Sequence, residues 1–387
     1  MHELVQQFID FVIGDCPKHD KDKASAAAKA KFDLTKDRKI FYCPYFAARF
    51  CYSRNGSFSN TVLALSALQK YDHIPVFVIL VKGNADNEIF LANSTFIKKI
   101  SHSSKELRID NIRGCFNGSD IMREYQGIKN NASNYQRLFA FHSGLSWEDN
   151  LERLVYTSAS IKGKKTKYVP QKFAITNIYD SVRRAIAFVE SSNYRVLLDD
   201  LNSRVESCKS EIYIASCIEN VNLRGNLIEF LIAADEKERA KVKANIRHIQ
   251  QAMPSLGRKH DLGDFKCSFE NGDTLTDIKS KVVYLDSNPK AYNIDKFLET
   301  MGEEKTVFFF YFIGIDEAGI MNTILCSVYH SKLLEATHVQ HHWAGRNSRG
   351  VTQFVGKDID AMLREKDFKN QLDEKQAKEF LKALLSL

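Results

Sequence analysis

Apolar residues at Leu4, Phe8, Phe11 and Val12 recur at helical spacing and predict a helix over Met1 to Ile13. Lys18 to Lys31, rich in Lys and Ala, reads as either a helix or a mobile basic segment. The strongly aromatic run from Lys39 to Phe50 is followed by a turn-rich loop, Ser53 to Asn60, and then by a helix over Thr61 to Gln69 capped by Ser59 or Asn60. His73 to Lys82 contains the unbroken run IPVFVILV and predicts a buried strand, with a second over Ile89 to Leu91. Helical periodicity returns at Trp147 to Tyr156 and, as one or two amphipathic helices, at Asn177 to Ser207. Glu211 to Cys217, EIYIASC, alternates like a short strand, and Asn222 to Ile249 reads as one long helix. Gly263 to Val283 reads as a hairpin, DSNP at Asp286 opens a helical stretch to Met301, and Thr306 to Ile315 and Ile320 to Tyr329 are strand-length apolar runs. Asp358 to Leu387 finishes as charged amphipathic helices. From Asn222 onward the order is helix, hairpin, helix, strand, strand, which predicts an α/β fold with a mixed sheet flanked by helices.

The lysine-rich stretch Ile161 to Tyr168, IKGKKTKY, is the best domain boundary. It separates residues 1–160, an α+β accessory region, from residues 161–387. A chain of 387 residues accommodates two or three cores. The formal charge of +7 suits a polyanionic partner without requiring one. None of the eight cysteines forms a CxxC pair, and several sit in apolar patterns, so they read as reduced, mostly buried thiols of a cytoplasmic protein. The apolar runs are too short to cross a membrane, and Phe8 to Ile13 is too short for a signal peptide.

The candidate chemistry lies in GDFKCSFENGDTLTDIKSKVV, Gly263 to Val283. Asn271-Gly272 is a strong hairpin-turn signal. Placing Glu270 opposite Asp273 sets Phe265 opposite Ile278 and Asp264 opposite Lys279. Alternation then puts Asp264, Asp277 and Lys279 on one face, while Phe265, Cys267, Phe269, Ile278 and Val282 share the other. Two carboxylates and an ammonium on a rigid support suit phosphodiester hydrolysis. The carboxylates can hold a hard divalent cation, and the lysine can orient water and offset charge growing on phosphorus. Asp261 is a rival ligand, but this pairing sets it too far from the turn to face Lys279.

Asp264 followed by Asp277-Ile278-Lys279 on the next strand resembles the PD-(D/E)XK nuclease signature, with Gly263 where the family name has proline. The wider setting, with SNPKAYNIDKFL after the hairpin, resembles type II restriction endonucleases over roughly Asn220 to Phe354. The resemblance implies a PD-(D/E)XK core in residues 161–387. It implies Mg²⁺ as cofactor, with Mn²⁺ as a substitute, held by Asp264 and Asp277. Lys279 would assist the attacking water. Glu229, on the helix before the hairpin, would be the supporting glutamate such nucleases often carry. It also implies double-stranded DNA as substrate, 5′-phosphate ends, a homodimer matched to a two-fold site, and a cognate DNA methyltransferase. A repair or structure-specific nuclease of the same superfamily, or a DNA-binding protein without catalysis, are the alternatives.

Candidate DNA contacts follow from residue type. His341, Arg346, Asn347, Arg349 and Gln353, in VQHHWAGRNSRGVTQF, match major-groove readers, and Gly345 and Gly350 allow close backbone approach. A metal site from His338, His341 and His342 lacks a nearby carboxylate or cysteine. Arg113 and Asn117 lie in a polar, basic stretch suited to phosphates and base edges, and Lys281 shares the face of Lys279 and could reach a phosphate.

Overall fold

The computed structural model describes residues 2–103, 114–160, 168–246, 262–270, 272–285, 287–303, 306–342 and 349–387. The protein is mixed α/β. It divides into two compact units, one of Met1–Lys165 with Gln340–Asn347, the other of Thr166–Val339 with Ser348–Leu387. The first unit thus takes back a segment that a boundary near residue 160 assigns to the second.

The first unit is built on a five-stranded sheet whose order is Thr35–Asp37, Ile40–Cys43, Phe46–Ser53, Val76–Lys82 and Glu88–Leu91. Phe46–Ser53 and Val76–Lys82 pair in parallel. The run in the Val76–Lys82 strand is explained by burial of both its faces. Phe77, Ile79 and Val81 pack with Phe8 and Phe32 of the two N-terminal helices, Glu3–Ile13 and Lys21–Phe32. Val76, Val78 and Leu80 pack with Leu65, Leu68 and Leu154 on the opposite side. Lys21–Phe32 is a helix whose buried face is Ala24, Ala28 and Phe32, and the Asp20 side chain caps its N-terminus. Thr61–Ala64 is a strand, not the first turn of a helix, because it pairs with Gly114–Asn117; the helix begins at Leu65 and runs to Tyr71.

The second unit holds a four-stranded sheet in the order Phe265–Phe269, Gly272–Val282, Val307–Asp316, Gly319–Ser327. The outer pairings are antiparallel and the central one is parallel. Parallel strands need a crossover, supplied here by a chain segment containing the helix Ile294–Met301. Just before that helix, Lys290–Asn293 forms a short strand, so helix does not extend back to DSNP. It pairs with Gly350–Phe354, and Thr337–His342 is also a strand, which gives regular structure to much of the histidine- and arginine-rich stretch.

Two helix expectations change. Glu211 to Cys217 is not a strand but lies mostly within the helix Lys209–Ser216. Ile212 and Ala215, its buried apolar residues, lie three apart and join a core containing Leu227 and Ile228, so tertiary packing overrides the local alternation. The long helix from Asn222 is two helices, Val221–Ala233 and Glu236–Asn245. Asp235 breaks it, turning its side chain onto the Glu238 N–H at 2.8 Å to start the second.

Candidate active site

The Gly272–Val282 strand is central in its sheet and carries charge at alternate positions: Asp277, Lys279 and Lys281. Its hairpin partner is set two residues away from the expected register, with Phe265 opposite Thr276 and Phe269 opposite Gly272. One strand therefore ends at Phe269 and the next begins at Gly272, so Gly272 belongs to a strand rather than to the turn. Residue 271, the first half of the turn signal, lies outside the described residues, as does Asp261. Because side chains alternate with a period of two, an even shift leaves every side chain on its expected face. It brings Asp264 beside Asp277 instead of Lys279.

Gly263 has φ of +82°, and a Cβ there would meet Leu275 Cβ and the Thr276 backbone at 3.3 Å. Proline, locked near −65°, cannot adopt that conformation, which accounts for glycine at this position. The bend sends the Asp264 N–H to the Thr276 carbonyl at 2.8 Å and lets Asp264 Oδ2 accept the Ile278 N–H at 3.0 Å. A carboxylate fixed by backbone donors on the neighbouring strand is held in place beside Asp277.

Glu229 comes from the Val221–Ala233 helix, whose N-terminus is capped by the Asn220 side chain. Leu227, Ile228, Phe230 and Leu231 bury that helix and direct Glu229 to the sheet's charged strand. Lys279 Nζ forms an ion pair with Asp277 Oδ1 and lies 3.8 Å from Glu229 Oε1. The side chains of Asp277, Lys279 and Glu229 are 11%, 17% and 15% exposed, so a narrow opening to solvent remains over a largely dry cluster. Burial pushes the Asp277 carboxyl up to about 8; Lys279 opposes the rise and the Asp264 carboxylate adds to it. Burial works against a charged Lys279, but Asp277, Glu229 and Asp264 outweigh it and raise the ammonium pKa above its usual value.

Among the described residues no group of three or more His, Cys, Asp and Glu side chains is arranged to hold a metal ion. The donor set is the Asp264 and Asp277 pair. Asp277 Oδ1 is buried and, beyond its ion contact with Lys279, has no hydrogen-bond partner among the described residues. A carboxylate pair with one such oxygen fits a hard cation that completes its shell with water and phosphate oxygens.

The expected DNA contacts fare differently. Lys281 does share the Lys279 face, but its Nζ is buried, donating to the Leu285 carbonyl at 2.6 Å and pairing with Asp360 at 3.3 Å. It is an internal tie, not a phosphate contact. Arg349 is buried as well. Its backbone N–H donates to Asp295 Oδ2 at 2.6 Å, and its Nη1 contacts Asp295 Oδ1 and donates to the Tyr168 carbonyl at 2.7 Å. A guanidinium held this way is not presented to a groove. Asn117 is buried on a strand, with its N–H on the Asp120 carboxylate at 2.7 Å. Gln353 is half-buried, and its Nε2 donates to the Asn288 carbonyl at 3.0 Å. His341 pairs through its backbone with Ser103. Arg113, Arg346 and Asn347 lie outside the described residues. Asp295 and Asp360 carry no local pattern that marks them; each is identified only by the distant cation it meets.

No family model matches the chain, and no curated protein matches its sequence. Among the described residues, no helix is long and apolar enough to cross a membrane.

Proposed function

We propose that the protein is a divalent-metal-dependent endonuclease of the PD-(D/E)XK kind, cutting double-stranded DNA as type II restriction enzymes do. The observation that carries this reading is the meeting of Asp264, Asp277 and Lys279 on one face of a mixed sheet, with Glu229 delivered from the Val221–Ala233 helix. Asp264 and Asp277 would hold Mg²⁺, or Mn²⁺ in its place. Once bound, such an ion polarises the phosphate and makes its water more acidic. The chain's own groups do the rest. The Asp264 carboxylate is oriented by the Ile278 N–H before substrate arrives. The Lys279 ammonium positions the attacking water and offsets the charge that grows on phosphorus. Glu229 holds that ammonium over the strand. Attack of water on phosphorus with loss of the 3′-oxygen leaves a 5′-phosphate and a 3′-hydroxyl. A homodimer would match a two-fold DNA site, and a DNA methyltransferase would protect the host's own copies.

A second reading, a repair or structure-specific nuclease, gains from the internal positions of Arg349 and Asn117, which remove two expected base contacts. Digestion of unmodified phage DNA with Mg²⁺, followed by sequencing of the ends, separates the two. Discrete fragments with 5′-phosphates support the first reading, and cutting confined to junctions or mismatches supports the second. Asp277→Ala should abolish cleavage while leaving DNA binding largely intact. No cutting with either Mg²⁺ or Mn²⁺ on any of these substrates, or full cutting by Asp277→Ala, overturns the assignment.

A further inference from the structure

Lys279 and a cation held by Asp277 would compete for the same carboxylate. The ammonium sits against Asp277 Oδ1, a buried oxygen with no other hydrogen-bond partner among the described residues, and so open to a divalent ion once the ammonium leaves. The second acidic neighbour of the ammonium, Glu229, is at 3.8 Å, close enough to receive it after a small change in the terminal torsions of a flexible side chain. Asp277, Lys279 and Glu229 are all largely shielded from water, so an ionised Asp277 needs a cation beside it and two cations on one oxygen repel strongly.

We propose that Lys279 is a resident counter-ion that a divalent cation displaces from Asp277, and that Glu229 is the receiving site to which the ammonium moves. The inference rests on the metal-dependent reading above and goes beyond it. It assigns the lysine a second state and makes Glu229 a positioning residue that acts through Lys279, not a metal ligand. Ion loading and delivery of the lysine to the substrate side then become one movement. A cation arriving at Asp277 releases the ammonium, and Glu229 holds it within reach of the phosphate.

The test is Mn²⁺ binding to the full chain without DNA, read from the free Mn²⁺ paramagnetic resonance signal over a series of pH values up to 9, so that each variant is compared where its Asp277 carboxyl is ionised. Lys279→Met removes the competing charge and should bind Mn²⁺ at least tenfold more tightly than the wild type, whereas Lys279→Arg should bind no more tightly. Glu229→Gln should weaken binding several-fold when Lys279 is present and have no effect in the Lys279→Met background. If Glu229 were a metal ligand, its substitution would weaken binding equally in both backgrounds, which overturns its assigned role. Should Lys279→Met fail to fold, Lys279→Gln makes the same comparison with a polar tip. Wild-type binding with unchanged or weaker binding by the neutral variants overturns the displacement while leaving the metal site standing. Absence of Mn²⁺ binding from every variant overturns both.

Discussion

Arg349 provides a sharp test of how the second unit is held together. Asp295 lies in the first turn of the helix Ile294–Met301, and its Oδ1 accepts the Tyr168 N–H at 3.1 Å. The same oxygen contacts Arg349 Nη1, Oδ2 takes the Arg349 N–H at 2.6 Å, and Nη1 reaches the Tyr168 carbonyl at 2.7 Å. Three separate stretches of chain therefore meet on one ion pair whose side chains are 7% and 13% exposed. Removing one partner of such a pair costs roughly 3–5 kcal/mol, because the other charge stays buried without its counter-ion. Arg349→Ala should fall at the lower end, since two backbone N–H groups still serve the carboxylate. Asp295→Ala should fall at the upper end, since the guanidinium is left with a carbonyl alone. At roughly 2–4 °C per kcal/mol for a unit of this size, melting temperatures should drop by about 6 to 20 °C. The double variant should be much less destabilised than the sum of the singles. The assay is thermal and urea unfolding followed by circular dichroism, with DNA binding measured on the same samples. An Arg349→Ala protein that melts within about 2 °C of wild type but loses binding to a DNA duplex would refute this reasoning and make Arg349 a DNA contact.

Other expectations follow from the same geometry. Asp277 titrates at about 8 in the folded chain against 3.8 for an ordinary aspartate. The folded state thus holds this proton more tightly, and the stability it contributes is full below about pH 4 and is lost as the pH rises towards 8. Urea unfolding in EDTA at pH 5 and pH 9 should show a larger loss for wild type than for Asp277→Asn; equal losses would refute the assignment. Gly263→Ala should cost about 1–2 kcal/mol through its positive φ, and should lower cleavage by displacing Asp264; unaltered cleavage and melting would show that the bend is not needed. Lys281→Met removes the partner of Asp360 and should destabilise the fold by about 3 kcal/mol, with its main effect on unfolding and little on the salt dependence of DNA binding. A changed salt slope with normal stability would make Lys281 a phosphate contact.

Much of the fold was legible because burial leaves a period in the sequence. The Val76–Lys82 and Val307–Asp316 strands announce themselves as unbroken apolar runs because both faces are covered. The hairpin face of Asp264, Asp277 and Lys279 was also legible, and survived a wrong register because the slip was even. Glu211 to Cys217 was misread because a seven-residue window with Ile212, Tyr213 and Ile214 satisfies both periods, and the decision rests on contacts with a helix elsewhere in the chain. Arg349 and Lys281 looked like surface cations for a similar reason. Nothing beside them in sequence reveals that Asp295 and Asp360 lie across from them. Charge type is local information, whereas the identity of a counter-charge is not.

The parallel pairing of Gly272–Val282 with Val307–Asp316 also sets when the acidic cluster comes into being. A hairpin can close as soon as its two strands leave the ribosome, but a parallel neighbour must wait for the crossover to be synthesised and folded back. Until then Asp277 and Lys279 lie on an open sheet edge, wet and loosely held. A nascent chain that ends before Val307 would thus carry Asp264, Asp277 and Glu229 without the neighbouring strand that completes their surroundings, and the site proposed above would form only when the domain is nearly complete. On the proposed nuclease reading, that delay is a safeguard written into the strand order.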